Sequence, residues 1–139
     1  MKNEIKIIEH SLEPTIVRKF LQNNKSGAIV IFEGVVREFN QGNKIKNITY
    51  EAFEAMAVKE ITKIVNEQKN QLTNSHEIHS ICIHHRVGKL DVGETSIIIG
   101  VSTEHREQAF LLCSNLMDKI KVSVPIWKFE TSENDAYWV

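Results

Sequence analysis

The chain has 139 residues, of which 42% are hydrophobic and 25% charged, and its formal net charge is −1. That length makes one domain, here residues 1–139, large enough to bury a core without staples. Its composition excludes a disordered chain or a long coiled coil, and its near-neutral charge argues against a general nucleic-acid binder, so any functional positive charge must be local.

In chain order, residues 4–9 read as a short strand. Ser11 offers a helix cap and Pro14 a first turn, and Ile16, Val17, Phe20 and Leu21 follow at helical spacing. Residues 28–37 form an apolar strand, in which Gly34 marks a bulge or a close backbone approach. A turn cluster at residues 39–43 and a strand at 44–53 predict a hairpin with it. Residues 54–71 are helical, with Ala57, Val58, Ile61, Ile64 and Val65 as the apolar stripe. A strand at 78–87, a turn at 88–93 and a strongly apolar, central strand at 95–101 follow. Ser102 or Thr103 caps a helix reaching Lys121, with Ala109, Leu112, Cys113, Leu116 and Ile120 inward. A last strand spans residues 124–130. The order β-α-β-β-α-β-β-α-β predicts an α+β fold with a mixed or antiparallel sheet.

The commoner chemical signatures are missing. There is no Walker loop, no GxGxxG and no GxSxG. His76-Glu77-Ile78-His79 has the wrong spacing for a helical zinc pair and enters a strand, while His84 and His85 point to opposite faces of that strand. These histidines read as strand residues, and no metal site is expected. Cys82 and Cys113 lie in apolar segments with no CxxC partner and read as buried structural thiols. Free thiols, an opening segment without a signal-peptide core and no apolar run of membrane length set the expectation of a cytoplasmic protein without membrane contact.

The cations are more informative. His105 and Arg106 fall where a strand runs into a helix, among unpaired backbone N–H groups; there they oppose the helix dipole but suit an anion. Lys121 ends the same helix. Lys128 lies in the following strand and shares a face with Ile126 and Glu130, opposite Trp127 and Phe129. Arg37 closes the strand that holds Gly34. Taken singly, each reads as an ordinary surface cation, and spacing alone does not bring them together.

Five segments, in order, resemble the large, catalytic subunit of molybdopterin synthase. They are Gly27-Ala28-Ile29-Val30-Ile31-Phe32-Glu33-Gly34-Val35-Val36-Arg37, Tyr50-Glu51-Ala52-Phe53-Glu54-Ala55-Met56-Ala57, His85-Arg86-Val87-Gly88-Lys89-Leu90, Ser102-Thr103-Glu104-His105-Arg106, and Met117 through Lys128 with its Pro125-Ile126-Trp127. The resemblance implies an α/β hammerhead-like fold with an added β-hairpin portion. It implies an enzyme that transfers sulfur to cyclic pyranopterin monophosphate, forming the dithiolene of molybdopterin. The sulfur donor is the C-terminal Gly-Gly thiocarboxylate of a small ubiquitin-like subunit, and a homodimer of the large subunit sits within a heterotetramer. By the same resemblance Lys121 and Lys128 are the active-site lysines. Arg37, His105 and Arg106 bind anions, and Val35, Val36, Phe129 and Glu130 line the substrate pocket. No metal or organic cofactor is implied, because the sulfur arrives activated. A competing expectation is a non-catalytic module that binds a ubiquitin-like sulfur carrier; an RNA-binding domain fits the charge poorly.

Overall fold

Isoleucine and valine on both faces of residues 97–101 require a strand covered on both sides, and that strand is the spine of the fold. A computed structural model of the chain describes residues 1–72, 74–132 and 136–139. The elements run β1 (Lys2–Ile8), α1 (Pro14–Leu21), β2 (Ala28–Val35), β3 (Phe39–Asn40), β4 (Asn43–Ala52) and α2 (Glu54–Gln71). They continue with β5 (Ile78–Arg86), β6 (Gly88–Asp91), β7 (Thr95–Thr103), α3 (Arg106–Ser123), β8 (Ile126–Ser132) and β9 (Ala136–Trp138).

The first sheet has the order β1-β5-β7-β2. β1 pairs with β5 in parallel and the other pairs are antiparallel. Alternate residues of β7 serve the two faces: Ile97, Ile99 and Val101 pack with α2 and α3, and Ile98 packs under α1 with Val17, Leu21 and Cys82. The inward residues of α3 are those expected from the spacing. The second sheet has the order β3-β4-β8-β9, with β6 alongside β4, around Val36, Ile45, Ile48, Tyr50 and Leu90. Among the described residues, two sheets and three α-helices make an α+β fold, as expected.

Three local expectations change. Residues 28–37 and 44–53 do not pair as a hairpin: β2 joins β7, and β4 joins β8. The reason lies in their faces. β2 sends Ile29 and Ile31 to the α1 side and Ala28 and Val30 to the other, so it needs a sheet covered twice. β4 buries Ile45, Ile48 and Tyr50 on one side only, its odd spacing absorbed by a register shift between Ile45 and Asn47. The turn at 88–93 begins as the short strand β6. Ser11, Ser102 and Thr103 are not caps, because Glu13 and His105 hold the N-cap positions without side-chain hydrogen bonds. β7 runs on through Ser102 and Thr103, which find strand partners on both sides, Ile29 and Ala28 in β2 and Ser80 and Ile78 in β5.

The junction of the two sheets positions everything that follows. At Gly34 the register of β2 shifts, and a side chain there would meet Ile97 Cγ2 at 2.7 Å. Beyond the shift Val36 leaves the first sheet for the core of the second, held by its N–H to Glu94 O at 3.0 Å and by Gly93 N–H to its own C=O at 2.8 Å. Ile126 packs against both cores as β8 leaves α3.

α1 sits close on the spine because residue 100 has no side chain: a Cβ there would lie 2.5 Å from Leu21 Cδ1 and 2.8 Å from Val17 Cγ1. Gly100→Ala therefore lowers stability by about 1–3 kcal/mol through overpacking, read from urea midpoints. An unchanged midpoint would show that α1 is loosely seated.

Candidate active site

Three segments distant in sequence deliver cations to one place. Arg37 follows the register shift at the end of β2, Lys121 lies in the last turn of α3, and Lys128 lies on β8, facing inward with Ile126. They line a cavity of about 660 Å³ at the sheet junction. Part of its wall is apolar, from Phe32, Met117, Ile120, Val124 and Ile126. Among the described residues no carboxylate lies within ion-pair distance of Arg37, Lys121 or Lys128. Glu33 also lines the cavity but accepts a hydrogen bond from Thr95 Oγ1 at 3.1 Å. Uncompensated cations beside an apolar wall suit an anion attached to a flat ring.

The other expected site residues fall in different places. Val35 lines the cavity, 48% exposed. Val36 and Glu130 line a smaller hollow of about 110 Å³ that shares Val35, Arg37, Tyr50 and Lys128 with the larger one. Both backbone polar groups of Val36 are bonded within the chain, which leaves no free N–H there and one lone pair on its carbonyl. The Glu130 carboxylate is buried and accepts from Asn40 Nδ2 at 3.0 and 3.1 Å. Phe129 points to the opposite side of β8 and packs edge-on against Trp138, the ring centroids 5.0 Å apart.

His105 and Arg106 are not brought to this cavity within one copy of the chain. They begin α3 and Lys121 ends it, roughly 22 Å away at the helical rise. Both are exposed and face carboxylates: His105 Nδ1 lies 3.4 Å from Glu77 Oε2, and Arg106 Nη2 lies 3.8 Å from Glu107 Oε1.

Among the cavity residues absent from the expected set, Tyr50 and His85 carry polar rings. Tyr50 is the β4 partner of Lys128, whose Nζ lies 5.9 Å from the phenol ring centroid. His85 meets Tyr50 edge-on, with ring centroids 5.2 Å apart, and its Nδ1–H donates to Arg86 O at 2.7 Å, leaving Nε2 as an acceptor. Burial pushes the His85 pKa down to about 4, with the Lys128 charge acting the same way. Burial also raises the Tyr50 pKa, so the phenol stays protonated at neutral pH. The signal for both lay in the quoted segments, but strand pairing was needed to set them beneath Lys128.

The family model for MoaE protein matches residues 7–123. The chain belongs to that family. It is 39% identical over 119 residues to the molybdopterin synthase catalytic subunit of Pyrococcus abyssi (strain GE5 / Orsay), covering 86% of this chain and 78% of the relative. It is similar to the crystal structure of molybdopterin synthase from Staphylococcus aureus, with 32% identity and a TM-score of 0.88 over 96% of this chain and 94% of that one. The same fold, at 22% identity and a TM-score of 0.76, occurs in the complex of subunit 1 and 2 of molybdopterin-converting factor from Helicobacter pylori 26695, covering 97% and 89% of the two chains. The resemblance noted in the sequence is therefore a family relationship.

In this MoaE-family chain the neutral His85 under the cavity makes stability depend on pH. The unfolded chain takes up the imidazole proton near pH 6.5, and the folded chain only near pH 4. Protons thus favour unfolding between those values, by about 3 kcal/mol in total. The contribution is complete above pH 6.5 and gone below pH 4. Urea unfolding across this window shows stability falling as pH falls, and His85→Phe flattens the slope. An equal slope in the variant would assign the titration elsewhere.

Proposed function

We propose that this chain is the catalytic subunit of a molybdopterin synthase. It transfers sulfur from the C-terminal Gly-Gly thiocarboxylate of a small ubiquitin-like subunit to cyclic pyranopterin monophosphate, forming the dithiolene of molybdopterin in the cytoplasm. The observation that carries this reading is the set of three cations that, among the described residues, have no carboxylate partner around one cavity in a chain of this family. Related chains are named catalytic subunits of molybdopterin synthase, a name that implies a second subunit in those proteins.

The chemistry fits the cavity. Both reactants carry negative charge, so bringing them together needs fixed positive charge aimed at both. Arg37 holds the phosphate with its planar fork, and the apolar wall from Met117 to Ile126 takes the ring system. Lys128, braced over Tyr50, stabilises charge developing on the substrate. Lys121 acts at the thiocarboxylate carbon, as general acid and base or as a transient nucleophile.

Lys121→Ala abolishes product formation in an assay with thiocarboxylated partner and cyclic precursor, while the partner still binds in a pull-down. General acid–base help is worth about 10²–10⁴-fold, which sets the scale of the loss. Lys121→Arg fails as well, because guanidinium keeps its proton. Full activity in the arginine variant would reduce Lys121 to a charge. Partner binding with no turnover by the wild-type chain would favour the non-catalytic carrier-binding module.

The distance along α3 gives the dimer its part in this proposal. His105 and Arg106 complete an anion site at the cavity if a second copy presents the start of its α3 there. Lys121→Ala and Arg106→Ala proteins, each inactive alone, then regain activity when mixed and allowed to exchange subunits, since one cavity of each mixed dimer is intact. A mixture as inactive as its components would remove Arg106 from the shared site.

A further inference from the structure

On the face of the first sheet turned away from the cavity, three side chains with metal-binding atoms converge. Cys82 and His84 are two residues apart on β5 and so share a face, and Glu4 is the residue that the parallel strand β1 places opposite Cys82. Glu4 Oε2 lies 2.8 Å from His84 Nε2 and 3.7 Å from Cys82 Sγ, and Cys82 Sγ lies 3.5 Å from His84 Nε2. We propose that Glu4, Cys82 and His84 form a binding site for a divalent zinc ion, which ties the edge strand β1 to β5.

The separations are those that zinc sets between its ligands. Bonds of about 2.3 Å to sulfur, 2.0–2.1 Å to nitrogen and 2.0–2.2 Å to oxygen, at tetrahedral angles, put donor atoms roughly 3.3–3.6 Å apart. Both distances from the thiol are close to that range. The Glu4–His84 hydrogen bond is shorter and opens by about half an ångström to admit the ion. Sulfur, imidazole and carboxylate together suit zinc better than magnesium or calcium, which take oxygen ligands.

The surroundings fit as well. Cys82 is fully buried, His84 is 3% exposed and the Glu4 side chain is 27% exposed, so the ion enters beside Glu4 and water takes the fourth position. Lys6 Nζ lies 3.5 Å from the other Glu4 oxygen, Oε1, and orients the carboxylate with Oε2 free for the metal. Without metal, burial and the Glu4 charge push the Cys82 thiol up to about 12. When zinc binds, the thiol proton leaves to solvent, a sulfur–zinc bond forms, and the Nε2 position of His84 gives its lone pair to the metal, any proton there moving to Nδ1. Thiolate, carboxylate and neutral imidazole bring the buried site to zero net charge with the ion. The neighbouring His85 belongs to the opposite face, so this site is separate from the sulfur-transfer cavity.

The full-length protein, stripped with a chelator, is equilibrated with zinc alone and desalted, and its metal content is read by native mass spectrometry. One zinc per chain is expected, with a rise in Tm and, in calorimetry across buffers of different ionisation enthalpy, release of a proton. Cobalt in its place gives a sulfur-to-metal charge-transfer band. Cys82→Ser loses the band and the zinc. Glu4→Gln, at the edge strand with its side chain partly in water, keeps the fold by circular dichroism and binds at least an order of magnitude more weakly. A wild-type chain that retains no zinc overturns the proposal. So does zinc retained equally by both variants, which would place it elsewhere, for example at the exposed group Glu77, Glu104 and His105.

Discussion

Arg37, Lys121 and Lys128 line one cavity that, among the described residues, gives them no carboxylate within ion-pair distance, and the fold is arranged to hold them there. No one element could do this. A helix end, a strand and the exit of a bulged strand each contribute one cation, and each is fixed by apolar burial behind it. Ile120 anchors the turn before Lys121, Ile126 bridges the two cores beside Lys128, and Val36 is buried next to Arg37. The same packing keeps His85 neutral beside Lys128, whose charge also disfavours a proton there.

The spine strand explains why the junction is rigid. β7 is buried from Ser96 to Thr103 and is paired on both sides, so its register with β2 fixes where Gly34 meets Ile97 and hence where Arg37 emerges. A side chain at Gly34 would push the strands apart at the point where the chain changes sheets. The glycine is required by contact and not by an unusual backbone angle.

Periodicity made most elements legible. Ala57, Ile61, Ile64 and Val65 of the α2 stripe and the inward residues of α3 lie where their spacing put them, and Val58, expected with them, is only half-buried. Pairing was harder to read. A turn cluster between two apolar stretches looks like a hairpin whether or not the stretches share a sheet, and only their faces decide: β2 is apolar on both and β4 on one. The site divides in the same way. Lys128, Ile126 and Glu130 on one face of β8, with Trp127 and Phe129 on the other, followed from alternation alone. That Tyr50 and His85 lie beneath Lys128, or that Glu4 reaches Cys82 and His84, depends on strand neighbours far apart in sequence. No local pattern encodes those neighbours. His105 and Arg106 show the converse limit, because motif order placed them with the lysines while helix length sets them at the far end of α3.

Net charge decides how the cations act. At −1 the whole chain exerts no long-range pull on an anionic partner. Screening confines the field of three local charges to about 8 Å at physiological salt, so they act on what has already arrived at the cavity. The strand that carries Lys128 inward carries Trp127 outward, 46% exposed and edge-on to Phe53, with centroids 6.1 Å apart and Phe53 itself 68% exposed. One strand therefore offers an exposed apolar surface on one side and a cation on the other, set apart by its two-residue period. Contacts on the apolar side tolerate salt, whereas attraction of an anion by Arg37, Lys121 and Lys128, all three exposed, weakens as salt rises. A near-neutral chain can hold an anion here because its three cations are gathered at one cavity and need to act only over a few ångströms.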